Sequence, residues 1–524
     1  MAHGSAATRR ALVRGAGVVA TAAAVTVARP GGADAAAYVP GHYQGGNLLP
    51  EDQRHLVTRF SYGLTPALAT EVQAAGGAVK WFTRQLNPAL VTDTFTAQSA
   101  SWFPSLDRSP EELWKRQVDL TEPGWQVMQD YQRLLLLRRV MSKRQVLEVM
   151  TEFWEHLLHV PVVDDGAFTH RASYGAMIRS KALGRYDALL HAAITHPAML
   201  VYLDGATSTK SHPNENLGRE LLELHTVGRG QYDEDDVKNS ARILTGYHVD
   251  KWRTWAASYR TGDHYTGAVQ VMGFRAANLV PDGRDVVKRY LSYLAHHPAT
   301  AQRIARRLAV KFVRDDPPTA LVNQLASIYL KNKTDIRPVL QALVASSAFK
   351  TSAGAKLRDP GEDVVATYRA LGVTIGAKPT GAPLKESAHV SILWQAMNLG
   401  QAPGAWPQPN GQPLDNESWS SPSRMIASLE MHYLMSGAWW PKTGMTYRPP
   451  AAWLPKTSIR MDELVDYLSQ RLLHRRSTST LLQACCESVG VEPTTWLSPT
   501  SDVVRWHLMR VLSTILDSPA HLTR

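Results

Sequence analysis

The segment from Pro213 to Gly228, PNENLGRELLELHTVG, combines carboxylates, an arginine and amides within a few helical turns. On a helical wheel, Asn216, Arg219, Glu220 and Glu223 fall in one arc, and leucines occupy the opposite side. Carboxyl groups can act as general acid or base, and a guanidinium group binds carboxylates and other anions. The segment is therefore predicted to be an amphipathic helix with a polar face capable of acid–base chemistry.

Candidate roles follow from the residue types on this helix and on the next, DEDDVKNSARILTG. The candidate catalytic residues are Glu220, Glu223 and Arg219, with one glutamate as acid or base and the arginine orienting an anionic group. The candidate binding residues are Asn214, Glu215, Asn216, His225, Asp236 and Arg242. In the alternative interpretation, Arg219 bridges Glu215 and Glu223 in a salt-bridged face that has only a structural role.

A metal site is a second hypothesis, centred on Glu148 to His159. Carboxylate and imidazole groups one helical turn apart can share an ion. The candidate ligands are Glu152, Glu155, His156 and His159, while the HExxH pattern of zinc hydrolases is absent from this segment. The residue pattern identifies neither the metal nor any cofactor. Convergence of His225, His248 or His264 on the segment in space would strengthen the hypothesis.

Several motifs resemble those of a large family of exported bacterial proteins, the domain-of-unknown-function family 1800. The resemblance rests on PNENLGRELLELHTVG and on these further segments in the same order: HLVTRFSYGLTP, HPAMLVYLD, YDEDDVKNSARILTGY, HPATAQRIARRLAVKFV, RDPGEDVVATYRALG, GAWPQPNG and NESW. It implies a mainly helical exported protein, often encoded beside a second exported family that is similar to sulfatases. Family members commonly carry an Asn-His pair where this chain has His156 and Leu157.

The first 37 residues are predicted to be a twin-arginine signal peptide. Arg9 and Arg10 precede an apolar run that is rich in alanine, and small residues near Ala37 offer a cleavage site. The expected localisation is therefore secreted or extracytoplasmic, with no transmembrane span in the mature chain. Cys485 and Cys486 are adjacent and are expected to be buried thiols, so a framework of disulfides is excluded.

The formal charge of the chain is +11, spread over several helical patches. One patch contains Arg303, Arg306, Arg307 and Lys311, and a solvated helix face is its expected explanation. Cell-wall polymers and acidic polysaccharides are the polyanions available outside a cell. Because nucleic-acid motifs are absent from the sequence, nucleic acid is not an expected partner.

The apolar periodicity predicts a mainly α fold. Val146, Met150, Phe153 and Leu157 form one helical stripe, and three X-Pro-Ala sequences mark predicted helix starts at Pro197, Pro298 and Pro519. We predict a large helical domain, residues 48–350, and a smaller, loop-rich helical part, residues 356–524. Loops of the smaller part carry Trp406 and Trp419, which can stack on sugars but more often pack a loop onto the core.

Two functional hypotheses follow. In the first, the protein acts on or binds an envelope or extracellular polysaccharide through the carboxylate and arginine groups around Glu220. In the second, it is a non-catalytic secreted scaffold, or a partner of the sulfatase-like exported protein. The sequence leaves open whether it is an enzyme.

Overall fold

In the computed structural model, which describes residues 41–379 and 386–524, α-helices packed around one large hydrophobic cluster make up most of the protein. The mainly α prediction is confirmed. The predicted signal peptide, residues 1–37, lies outside the described residues.

The helices are mostly short and follow one another closely. They are α1 (Glu51–Arg59), α2 (Pro66–Ala74), α3 (Ala78–Gln85), α4 (Phe95–Ser99), α5 (Pro110–Val118), α6 (Gly124–Met141), α7 (Gln145–Leu157), α8 (Arg171–Lys181), α9 (Tyr186–Ile194), α10 (Pro197–Tyr202), α11 (Glu215–Glu220), α12 (Glu234–Ile243), α13 (Arg284–Ala295), α14 (Pro298–Phe312), α15 (Thr319–Lys331), α16 (Ile336–Ala345), α17 (Ser347–Lys350), α18 (Pro360–Leu371), α19 (Ala388–Asn398), α20 (Pro422–Ser436), α21 (Met461–Leu472), α22 (Ser479–Val489), α23 (Leu508–Leu516) and α24 (Pro519–Leu522). None of the described helices combines the length and the apolar character that crossing a bilayer requires.

Strands in the described residues are short and pair antiparallel in twos. The pairs are β1 (Tyr247–Val249) with β2 (Ala257–Tyr259), β3 (Val269–Val271) with β4 (Phe274–Ala276), β5 (Thr374–Ile375) with β6 (Met445–Thr446), and β7 (Ile459–Arg460) with β8 (Trp496–Leu497). They close loops between helices, and the core remains helical.

Proline and its preceding residue start several helices, as predicted. Helices α10, α14 and α24 begin at Pro197, Pro298 and Pro519. The Nδ1 atoms of His196 and His297 accept hydrogen bonds of 3.2 Å from the backbone N–H groups two residues later, which satisfies one free donor at each helix start.

The core draws on residues from both predicted parts of the chain. Phe60, directly after α1, stacks on Phe312 of α14, and the same hydrophobic cluster includes Val365 of α18 and Leu468 of α21. The described residues form one compact unit. The division into 48–350 and 356–524 stays a prediction about the sequence.

Candidate functional site

The conspicuous glutamate-rich segment folds as helix α11 followed by a single π-helical stretch, Leu221–His225. Asn214 caps the start, because its Oδ1 atom accepts hydrogen bonds from the backbone N–H groups of Asn216 and Leu217 at 2.8 and 3.3 Å. Glu215 and Asn216 are exposed to solvent. The segment thus presents a partly open polar face.

Arg219 and Glu223 are each held by a group from the following loop or helix. Arg219 donates two hydrogen bonds to Glu234 of α12, at 2.9 and 2.7 Å, and so does not bridge Glu215 and Glu223. Glu223 accepts hydrogen bonds from Arg229 and from Tyr232, the latter at 2.8 Å. Burial raises the pKa of Glu223, but these two hydrogen bonds outweigh that effect and lower it.

Glu220 differs from its neighbours, because no side chain in the described part of the chain forms an ion pair with it. It is half-buried, and burial together with the nearby charge of Glu223 raises its pKa. Burial and the charges of Asp164 and Glu220 also raise the pKa of Tyr202, to about 12. Glu220 and Asp164 therefore both act electrostatically on one phenol, and of the two candidate catalytic glutamates only Glu223 is held by an ion pair within the described residues.

Asp236 and Arg242 contribute to local structure. Asp236 accepts hydrogen bonds from the backbone of Asp233 at 3.2 Å and of Met272 at 2.8 Å, which fixes the start of α12 on the β3–β4 hairpin. The guanidinium of Arg242 lies over the ring of Tyr265, 5.2 Å from its centroid.

His225 does converge on helix α7, but its side chain contacts the backbone of that helix. It is fully buried, and its Nδ1 atom lies 2.9 Å from the carbonyl oxygen of Leu157 at the end of α7. Burial lowers the pKa of His225 to about 4, so the neutral ring donates from Nδ1 to that carbonyl. Its Nε2 has no hydrogen-bond partner within the described residues.

The glutamates of α7 are buried against arginines from neighbouring helices. Glu148 lies 2.6 Å from Arg179, Glu152 lies 2.8 Å from Arg139, and Glu155 lies 3.2 Å from Arg171. The sequence pattern indicates this polar stripe of α7. The arginines that pair with the stripe lie on α6 and α8, and the pattern of α7 alone cannot predict them.

Two clusters of described side chains have the spacing to hold a cation, and internal cations already neutralise both. In the first cluster, Lys311 lies 2.8 Å from Glu362 and 3.8 Å from both Glu152 and Asp359. The second cluster contains Asp363, His432 and His521. There Arg424 donates to Asp363 at 3.1 Å, and the ring of His432 lies between Asp363 and Asp517. Lys311 is buried, so the expectation that its patch is a solvated helix face is wrong for this residue.

The two histidines among the other candidate metal ligands differ in their hydrogen bonding. The Nε2 atom of His159 lies 2.7 Å from the carbonyl oxygen of Trp406. The Nδ1 atom of His156 is buried without a partner in the described part of the chain. Burial and the charges of Lys311 and Arg139 hold the pKa of His156 well below its usual range.

A tryptophan-lined groove was missed by the sequence reasoning, because its residues are far apart in the chain. Its volume is about 770 Å³, within the range of small-ligand sites. The walls are Trp125 of α6, Trp114 of α5 and Trp252 of the β1–β2 loop. Trp125 is 63% exposed and Trp252 is 51% exposed, although indole rings usually bury most of their area.

Packing below the groove fixes its aromatic wall. The ring centroids of Trp114, Trp252 and Trp255 lie 5.2–5.4 Å apart, in edge-on or tilted contacts. Trp255 is completely buried, so it anchors the exposed ring of Trp252 to the core. Such a wall is held in place before a ligand arrives.

Polar groups also line the groove. Asp164, Asp165, Gln129 and Gln401 line it. Burial raises the pKa of Asp164, and the charges of Asp165 and Asp204 add to that effect. Asp164 and Glu220 both contribute to the raised pKa of Tyr202, so one carboxyl group of the groove acts electrostatically on the same phenol as Glu220 of α11.

Trp406 and Trp419 are the two loop tryptophans for which the sequence favours packing over sugar stacking. Trp419 is buried and donates to the carbonyl oxygen of Pro413 at 3.1 Å, as the packing interpretation predicts. Trp406 is half-buried, and its indole donates to Asn410 at 3.2 Å. Both indole groups thus donate within the segment that follows α19.

Comparison with known proteins gives one finding. The family model described as "Protein of unknown function (DUF1800)" matches residues 55–523. No curated protein and no solved structure matches the chain. The match covers the segments that carry the quoted motifs and nearly all of the described residues. The chain therefore belongs to the DUF1800 family.

Proposed function

We propose that this protein binds an envelope or extracellular polysaccharide in the tryptophan-lined groove, outside the cytoplasm after twin-arginine export. One observation carries the proposal: Trp125 and Trp252 expose large aromatic faces in a groove that also holds carboxylates and amides. Flat indole faces cover the apolar side of a sugar ring, while carboxylates and amides bind its hydroxyl groups.

Chemistry on the bound chain would fall to Asp164, which lines the groove, and to Glu220 of α11, which acts electrostatically on the same phenol, that of Tyr202. Glu220 and Asp164 both have raised pKa values, for which burial is the main cause. A protonated carboxyl can act as a general acid, and a second carboxylate can act as base or nucleophile. In this proposal Glu220 is the acid and Asp164 its partner, whereas Arg219 and Glu223 shape the helix through their ion pairs.

Affinity measurements on tryptophan variants test the binding step. Trp252→Ala and Trp125→Ala are each expected to weaken binding of envelope polysaccharide fractions at least tenfold, since each removes an aromatic face. Trp496→Ala is the matched control, because Trp496 is 64% exposed but lies in β8, away from the groove. Equal affinities for all three variants and the wild type would contradict the proposal.

The second candidate function is a non-catalytic scaffold, including one for a sulfatase-like exported partner. It is favoured by the ion pairs of Arg219 with Glu234 and of Glu223 with Arg229, which commit two of the three candidate catalytic residues to structure. Reducing-end release from the bound polysaccharide separates the two functions. An enzyme loses this activity in Glu220→Gln and keeps its affinity, whereas a scaffold shows no release in either form.

A further inference from the structure

A second cavity, of about 410 Å³, lies between helix α14 and the segment 410–415. Its lining includes Arg303, Arg306 and Arg307 on one side and Gly411, Gln412 and Asp415 on the other. Arg303 and Arg307 are four residues apart on α14, so their guanidinium groups share one face of the helix.

Arg307 has no partner for its charge among the described residues. Its Nε and Nη2 atoms are shielded from solvent and make no hydrogen bond, and burial lowers its pKa to about 10. Arg303 donates to the carbonyl oxygen of Leu224 at 3.0 Å, but its Nε is also buried without a partner. Buried guanidinium groups are normally paired with an anion, because desolvation of an unpaired charge is costly.

The acidic side chains nearby already accept hydrogen bonds from other groups. Asp415 accepts hydrogen bonds from the backbone N–H and the hydroxyl of Ser418, at 2.9 and 2.8 Å. Glu223 is bound to Arg229 and Tyr232. The cavity therefore has a surplus of positive charge that the described part of the protein does not balance.

Two buried imidazole rings each have a nitrogen without a hydrogen bond. The Nε2 of His225 and the Nδ1 of His156 are buried and unpartnered. The positive charge of Arg307 is among the causes that lower the pKa of both rings. A bound anion would reverse this effect and allow the rings to donate further hydrogen bonds.

The opposite wall is segment 410–415, which a glycine brings close to α7. Gly411 has a φ of +72°, and a Cβ atom there would lie 1.8 Å from the carbonyl oxygen of His156. Gly411 therefore lies directly against the end of α7, which places segment 410–415 along one side of the cavity.

We propose that this cavity binds a tetrahedral oxyanion, the phosphate or sulfate group of a ligand, with Arg307 and Arg303 as its charged contacts. Two guanidinium groups on one helix face provide several N–H donors in fixed directions, which suits an anion with three or four oxygens. The proposal is independent of the tryptophan groove, because the two cavities share no lining residue.

The test is a titration of full-length protein with inorganic phosphate, and separately with sulfate, at an ionic strength kept constant with NaCl. We expect a saturable rise in melting temperature in the wild type and at least a tenfold loss of apparent affinity in Arg307→Gln. Arg289→Gln is the matched control, since it removes an exposed arginine of α13 that pairs with Asp285. The anion that gives the tighter constant identifies the group.

A wild type without a saturable response would overturn the proposal, as would equal affinity in Arg307→Gln. If Arg307→Gln fails to fold, Val310→Phe provides the second test. Val310 lines the same cavity, so the larger ring narrows it and leaves every arginine in place. Unchanged affinity in Val310→Phe would then reject this location for the anion.

Discussion

At the scale of single residues, two glutamates on the polar face of α11 and the π-helical stretch after it differ in their contacts and in the direction of their pKa shifts. Glu223 is bound by Arg229 and Tyr232, and its pKa is lowered, whereas Glu220 lacks such contacts in the described residues and its pKa is raised. Sequence spacing places both on one face, but it cannot show which of them the loop after the helix captures. The difference follows from the position of residues 229–232.

Replacing each glutamate by glutamine should distinguish a structural carboxylate from an available one. Glu223→Gln is expected to lower the free energy of unfolding by roughly 0.5–1 kcal/mol, a value discounted because Arg229 is exposed. Glu220→Gln is expected to be neutral or slightly stabilising at pH 7, because burial and the charge of Glu223 disfavour a carboxylate here and the amide is uncharged. Urea denaturation checks both values. A larger loss in Glu220→Gln than in Glu223→Gln would show that the two roles are reversed.

At the scale of elements, α11 and α12 pack closely because Gly218 faces α12. A Cβ atom on Gly218 would lie 2.9 Å from the backbone N of Ala241 and 3.1 Å from the carbonyl oxygen of Val237. Both neighbours are backbone atoms, which cannot move aside as a flexible side chain can. The close approach lets Arg219 reach Glu234 and lets the hydroxyl of Ser240 donate to the Gly218 carbonyl at 3.3 Å.

Gly218→Ala should therefore destabilise the protein, although alanine is the better helix former. We expect a loss of about 1–3 kcal/mol in the free energy of unfolding, from separation of the two helices. The gain in helix propensity of up to about 1 kcal/mol offsets only part of it. Gly262→Ala is the control, since a Cβ atom at Gly262 meets no other atom within 4 Å and its effect should stay within about 0.5 kcal/mol. Equal melting temperatures for the two variants would contradict this account of the packing.

At the scale of the whole molecule, local features were predictable and long-range partners were not. The helix starts at Pro197 and Pro298 and the buried thiols of Cys485 and Cys486 follow from neighbouring residues, and the structure confirms them. The ion pair of Arg139 with Glu152 joins two helices, and Trp125 and Trp252 are more than a hundred residues apart in the sequence. One sequence does not specify such contacts, because they depend on how helices of similar pattern are arranged.

Buried charges also join the two ends of the described chain. Arg59 of α1 donates to the carbonyl oxygen of Arg524 at 2.6 Å, and the guanidinium of Arg524 lies 2.5 Å from Glu362 of α18. Next to this pair, His432 of α20 contacts Asp363 at 3.2 Å and Asp517 at 2.7 Å. Because each of these ion pairs links distant elements, their loss should affect global unfolding and not a local region.

The charge on His432 should make global stability depend on pH in the alkaline range. Burial lowers the pKa of this ring, but Asp363 and Asp517 outweigh burial and raise it from 6.5 to about 9. A group with a raised pKa in the folded state stabilises fully below its unfolded value, and that contribution is lost as pH rises through the folded value. The stabilisation from His432, at most roughly 3 kcal/mol, should therefore decline between about pH 6.5 and pH 9. Urea unfolding of the wild type and of His432→Gln across this range should show the difference between them shrinking as pH rises, while the exposed-site control His212→Gln keeps the wild-type profile. A difference that stays constant from pH 6 to pH 9.5 would show that His432 is uncharged in the folded protein.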